Sequence, residues 1–349
     1  MKDIERLINP HILNMAPYSS ARDDFKGEAE VYLDANESWF EGEVKCNRYP
    51  DPECVEVRKL LESVLSLPFE KTVLGNGSDE IIDLLIRIFC EYGKDSIMIM
   101  RPTYGAYKVF AATNNIEVVN VPLTPSLELD MDAIKSAIDK DKPKLVFICT
   151  PNNPTGKVYP LSQIEEIAKY NSAITVIDEA YADFAPNFES AVSLIDKYPR
   201  LCVMRTLSKA WGIAGARVGI LVANEYIKST VVKVKPPYNV SVLAQRAAKL
   251  VLSNPESVYS VRDEVLSDRE RLQCEIAKLP FVREIIPSEA NFLAVRVLDA
   301  DELYMYLMER GIIVRNRTKE PFLDGVLRIT IGSKIENEKL MEALLGYSK

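Results

Sequence analysis

VMRTLSKAWGIAGARVG, residues 203–219, decides the reading of this chain. An apolar run, Leu201 to Met204, leads through Thr206 and Ser208 to a single lysine, Lys209, and then to Gly212, Gly215 and Arg217. Apolar residues at consecutive positions describe a strand buried on both faces. A lysine at the end of such a strand, beside hydroxyls, small residues and a cation, suits a sheltered amine that meets an anionic ligand. The lysine is able to condense with an aldehyde, the hydroxyls to donate hydrogen bonds and Arg217 to neutralise a phosphate. An isolated lysine is far more often a solvated loop residue, so the rest of the chain decides.

The 349 residues imply about two domains and a sizeable core. A hydrophobic fraction of 47% with 27% charged residues describes an ordinary globular chain. The net charge of −8 argues against nucleic acid as a partner, so any anionic ligand needs local arginines. No signal peptide is expected, because Asp3 and Glu5 interrupt the first residues and no apolar core follows. No membrane span is expected either, since the apolar stretch 212–223 is short and carries Arg217. Six cysteines without CxxC or zinc-ligand spacing read as reduced cytoplasmic thiols, with no metal site. With His11 the only histidine, proton transfer falls to Lys, Tyr, Asp or Glu.

Outward from the lysine, short apolar runs alternate with helical periodicity. Strands are predicted at 31–33, 97–100, 117–121, 145–149, 174–177, 201–204 and 218–222, with helices at 52–65, 81–89, 106–113, 131–138 and 161–170. Such alternation implies βαβ units and a mainly parallel sheet covered on both faces. After Lys235-Pro236-Pro237 the pattern changes. Helices at 242–252 and 255–278, strands at 291–297, 312–314 and 327–331, and helices at 301–310 and 336–345 describe a smaller α+β domain. The expected division is an arm with part of the small domain (1–38), a large domain (39–240) and a small C-terminal domain (241–349).

Ligands of open α/β sheets sit at the carboxyl ends of the strands. Those ends carry Tyr104, Asn153, Asp178 with Tyr181, and Thr206, Ser208 and Lys209. The turn Gly77, Ser78, Asp79 enters a helix, with Ser78 or its neighbour as expected N-cap, and offers free N–H groups to a phosphate. One chemistry needs this set, that of pyridoxal phosphate. Lys209 would anchor the aldehyde and Asp178 would pair with the pyridine nitrogen, a contact worth about 4 kcal/mol at about 4 Å and an effective dielectric near 20. Asn153 and Tyr181 would bond the phenolic oxygen, and Tyr104 would stack on the ring. Gly77, Ser78, Asp79, Thr206, Ser208 and Arg217 would hold the phosphate.

PNNPTG at 151–156, DEAY at 178–181, Ser208-Lys209 and Arg217 resemble the fold-type-I pyridoxal-phosphate transferases, in order and spacing, over nearly the whole chain. Within them, PYSSAR at 17–22, LDANE at 33–37, NRYPDP at 47–52, GNGSDE at 75–80, PTYGAY at 102–107 and LRITIG at 327–332 are most similar to the histidinol-phosphate aminotransferases. That resemblance implies exchange of an amino group between L-histidinol phosphate and 2-oxoglutarate, a step of histidine biosynthesis, in a homodimer whose sites draw on both subunits. It implies that Tyr49 reaches the partner's cofactor phosphate. It assigns Arg328, Arg315, Tyr18 and Asn36 to the substrate, with Arg22 a further candidate near its anion. Related reactions with the same cofactor, threonine-phosphate decarboxylation or aromatic aminotransfer, stay open at this point, and Trp39-Phe40-Glu41 occupies a segment that varies in the group.

Overall fold

The computed structural model describes residues 2–16 and 29–347. Tyr18 and Arg22 lie outside the described residues.

Seven strands form one sheet: β1 Thr72–Asn76, β2 Ser96–Arg101, β3 Glu117–Pro122, β4 Leu145–Cys149, β5 Ile174–Asp178, β6 Leu201–Thr206 and β7 Val218–Val222, in the order β1-β7-β6-β5-β4-β2-β3. β2 to β6 run parallel; β7 is antiparallel to both its neighbours. Every residue of β4, β5, β6 and β7 is buried. Alternate side chains of β2, β4, β5 and β6 feed two apolar layers. Met98, Val146, Ile148, Ile177 and Val203 face one, while Ile97, Ile99, Phe147, Val176 and Met204 face the other. Helix Gly77–Phe89 fills the second layer with Ile81, Leu85 and Ile88 at helical spacing. The strand order reverses between β2 and β4, which opens a crevice at the carboxyl ends there.

A second, antiparallel sheet comprises β8 Val282–Ile286, β9 Phe292–Val297, β10 Arg315–Asn316 and β11 Val326–Thr330, in the order β10-β11-β9-β8. Helices Pro255–Ile276, Ala300–Glu309 and Lys334–Leu345 cover it through Leu272, Leu303, Leu307 and Leu340. Among the described residues no helix is long and apolar enough to cross a membrane, and no cluster of His, Cys, Asp and Glu is arranged to hold a metal.

Several elements depart from the sequence reading. The expected strand at 31–33 is absent: Val31 is 69% and Leu33 89% exposed, with no neighbouring strand to pair. β1 was not expected, because Gly75 and Asn76 weaken a strand pattern; five antiparallel pairs with β7 form it nevertheless. Helix Glu225–Val234 and β8 were likewise not anticipated. The strand expected at 312–314 forms at Arg315–Asn316 instead, where β11 supplies partners. The helix after β1 begins at Gly77 with Asn76 as N-cap, ahead of Ser78. Helix Val242–Leu252, read as the start of the small domain, contributes Ala244, Ala248 and Leu252 to a layer of the large sheet.

Candidate active site

Parallel pairing brings Cys149 and Asp178, at the ends of β4 and β5, into register with Met204, two residues before the end of β6. The segments that leave these strands therefore meet above one edge of the sheet. They and the start of helix Gly77–Phe89 enclose a cavity of about 470 Å³, including open solvent, lined by Ser78, Asp79, Tyr104, Asn153, Asp178, Tyr181, Thr206, Ser208, Lys209 and Arg217. Cys149 and Ala180 also line it.

Asp178 forms the floor. It is 3% exposed, accepts from the Tyr107 hydroxyl at 2.6 Å and from the Ala180 N–H at 3.1 Å. Burial pushes its carboxyl up, and these two donors with Lys209 pull it back. Lys209 lines the cavity but is exposed rather than the sheltered residue expected, and its amine moves the opposite way: partial desolvation lowers it first, Arg328 adds to that, and Asp178 and Asp79 resist. Its ammonium lies 5.5 Å from the Tyr181 ring centroid, within cation–π range.

One wall is a polar chain. Arg328 Nη1 donates to Asn153 Oδ1 at 2.6 Å, and Asn153 Nδ2 donates to the Tyr181 hydroxyl at 3.2 Å. Opposite it, Asp79 accepts from the Tyr104 hydroxyl and from Arg217 Nη2, both at 3.1 Å. Thr206 is committed to the backbone: it donates to Val218 O at 3.1 Å and accepts from the Ser208 N–H at 3.1 Å. That pair fixes the bend that turns Lys209 inward.

The helix start is built by close approach. Gly77 has φ +80°, and a Cβ there would lie 2.4 Å from Arg217 Nη2. A Cβ on Gly219 would fall 2.3 Å from Gly77 C and 2.4 Å from Ser78 N. Only glycines let β7, Arg217 and the first helical turn converge. The first-turn N–H groups have no partner within the helix, so together with Arg217 they form an anion cradle.

Three expected residues are not in this cavity's lining. Tyr49 and Asn36 line a separate surface hollow, where Tyr49 stacks on Tyr238 at 4.4 Å between centroids. Arg315 is exposed on β10, directly across from Arg328 on β11. Two residues escaped the sequence reading. Tyr107 closes PTYGAY one helical turn after Tyr104, a spacing that puts the two on one helix face. Arg317 sits two residues beyond Arg315, a strand-period spacing that would have put both on one face.

The aminotransferase class I and II family model matches residues 19–344. The chain belongs to this family. A histidinol-phosphate aminotransferase of Cytophaga hutchinsonii is 43% identical over 350 residues, covering 99% of each chain. The solved histidinol-phosphate aminotransferase of Clostridium acetobutylicum superposes with a TM-score of 0.79 at 28% identity, over 88% of this chain and 92% of that one. That of Sinorhizobium meliloti, solved with pyridoxal-5′-phosphate, has a TM-score of 0.79 at 24% identity over 87% and 84%, a likeness of fold. The cavity of this aminotransferase fits that cofactor on its own chemistry. It pairs an anion cradle with a buried carboxylate and a cavity-lining amine of lowered proton affinity.

Proposed function

We propose that this aminotransferase exchanges the amino group between L-histidinol phosphate and 2-oxoglutarate, yielding imidazole-acetol phosphate and L-glutamate in histidine biosynthesis. The observation that carries the reading is the Arg328–Asn153 contact at 2.6 Å, which sets a guanidinium at the rim of the lysine cavity. A substrate phosphate and the carboxylates of glutamate and 2-oxoglutarate are all suited to such a planar donor. The names of the relatives at about 40% identity support the same substrate.

Lys209 would hold the cofactor, Asp178 would pair with its ring nitrogen, Tyr104 would stack on its ring, Asn153 and Tyr181 would bond its phenolic oxygen, and Gly77, Ser78, Asp79, Ser208 and Arg217 would hold its phosphate, with Thr206 positioning Ser208 through the hydroxyl that accepts its N–H. Pyridoxal phosphate, when bound, supplies an aldehyde carbon and a ring that accepts an electron pair. Lys209 Nζ then serves as the base that takes and returns the proton at the substrate α-carbon, its lowered affinity keeping the neutral amine accessible. Asp178 keeps a negative charge in low dielectric and so favours the protonated ring nitrogen. Arg328 and Arg315 orient the distal anion of the substrate.

We further propose a cytoplasmic homodimer in which Tyr49 crosses to the partner's cofactor. Trp39 at 87% exposure and Phe40 at 66% support an apolar partner surface near that hollow. The small domain is proposed to start beyond helix Val242–Leu252, whose apolar face belongs to the large sheet.

The deciding experiment mixes holoenzyme with excess L-histidinol phosphate and no acceptor, and follows the visible spectrum. Loss of the cofactor's visible band, without release of carbon dioxide, is the expected result. An unchanged band would reject this substrate, and carbon dioxide release would make the protein a decarboxylase.

A further inference from the structure

β10 and β11 place three arginines on one face. Arg315 is directly opposite Arg328, and Arg317, one residue past β10, extends the ladder by donating its N–H to Val326 O at 2.8 Å. Residues two apart on a strand point the same way, so Arg315, Arg317 and Arg328 share a face that borders the Asn153–Tyr181 wall. This grouping is costly. The Nε atoms of Arg317 and Arg328 and the Thr318 hydroxyl are buried without a hydrogen-bond partner. Among the described residues no ion pair engages any of the three guanidiniums. Glu320, the carboxylate that acts on Arg317, is itself bound to Arg101 at 2.8 Å. Burial, then Arg328 and Arg315, lower the proton affinity of Arg317. A fold that keeps three cations and three orphaned polar atoms together is built for a multiply charged anion.

We propose that Arg317 is a further substrate-binding residue, a third guanidinium that grips the phosphate dianion of the amino donor and thereby separates it from substrates whose distal anion is a carboxylate. The inference rests on the phosphate-bearing donor proposed above. A carboxylate offers two oxygens, which a single arginine satisfies in bidentate fashion. A phosphate monoester offers three terminal oxygens and about two charges near neutral pH, so it uses donors that a carboxylate leaves idle. Arg317 therefore contributes to binding the phosphorylated amine and little to glutamate.

The test compares wild type with Arg317→Gln and Arg317→Lys in single-turnover titrations with L-histidinol phosphate and with L-glutamate, and measures inorganic phosphate as an inhibitor of the glutamate half-reaction. Loss of a charge-assisted hydrogen bond should weaken histidinol phosphate by about 10- to 100-fold in Arg317→Gln. Phosphate inhibition should weaken in parallel, glutamate should change by less than about threefold, and the lysine variant should fall between. An unchanged visible cofactor spectrum verifies that the variants fold. Equal weakening of both substrates, or no change with histidinol phosphate, overturns the assignment. If wild type ignores histidinol phosphate yet phosphate inhibits it and Arg317→Gln relieves that inhibition, the substrate reading falls and the anion site stands.

Discussion

The Tyr107 hydroxyl donates to Asp178 Oδ2 at 2.6 Å beneath the floor of the cavity, and both residues are shut off from solvent. Tyr107 is itself fixed by stacking on Phe147 at 4.8 Å and by an edge contact with Tyr104 at 5.5 Å. The carboxylate assigned to the cofactor's ring nitrogen is thus oriented from behind by a rigid aromatic that never enters the cavity lining.

Tyr107→Phe should cost about 1–3 kcal/mol of stability, because a buried acceptor loses its donor while the ring packing is kept. Removing a donor that lowers the Asp178 proton affinity moves its carboxyl further up. The acid limb of kcat/KM should therefore shift to higher pH. Urea unfolding and a pH–rate profile check the two effects separately; an unmoved acid limb would reduce Tyr107 to a packing residue.

Gly219→Ala should damage the phosphate cradle specifically. The added Cβ meets backbone atoms of Gly77 and Ser78 at 2.3 and 2.4 Å, which no rotamer change relieves. Overpacking of this kind costs about 1–3 kcal/mol. Cofactor affinity, measured by equilibrium dialysis, should fall by at least about tenfold, since the displaced N–H groups are those that face the anion.

Arg217→Gln should separate binding from stability. Its ion pair with Asp79 is 44% and 38% exposed at the two side chains, and exposed pairs contribute only about 0–1 kcal/mol. Thermal unfolding without cofactor should barely move. Binding of pyridoxal phosphate should weaken by about 10- to 100-fold through loss of a charge-assisted contact. A large loss of stability with unchanged cofactor affinity would remove Arg217 from the cradle.

Arg328→Gln should move the pH dependence of cofactor capture. Attack on the aldehyde needs the neutral amine of Lys209, which burial and then Arg328 hold below its ordinary value of 10.5. Removing the positive neighbour raises that value toward 10.5, so the midpoint of capture rate against pH should shift upward. The linked stability has a definite sign. Below the folded-state value both states carry the proton, and the cost of the destabilised ammonium is fully present. It is relieved as pH rises from that value toward 10.5, so cofactor-free wild type should gain stability across this alkaline window, and Arg328→Gln should gain less. Stopped-flow capture and pH-dependent unfolding provide the measurements.

Continuous apolar runs at 145–149 and 218–222 were sufficient to define β4 and β7 to the residue, because a strand buried on both faces leaves no alternative for its side chains. The placing of Asp178, Asn153 and Lys209 just past such runs was legible for the same reason: a parallel sheet aligns its carboxyl ends. Local sequence was insufficient wherever a partner strand made the element. β1 exists through β7, and Arg315–Asn316 rather than 312–314 became a strand through β11. The sequence by itself determined which chemical groups surround the lysine. Only the tertiary structure decided that Tyr107 holds Asp178 from below, that Gly77 and Gly219 touch, and that Arg317 joins Arg315 and Arg328 on one face. Those contacts join residues far apart in the chain, and their distances follow from how layers pack and strands register, which no short-range pattern encodes.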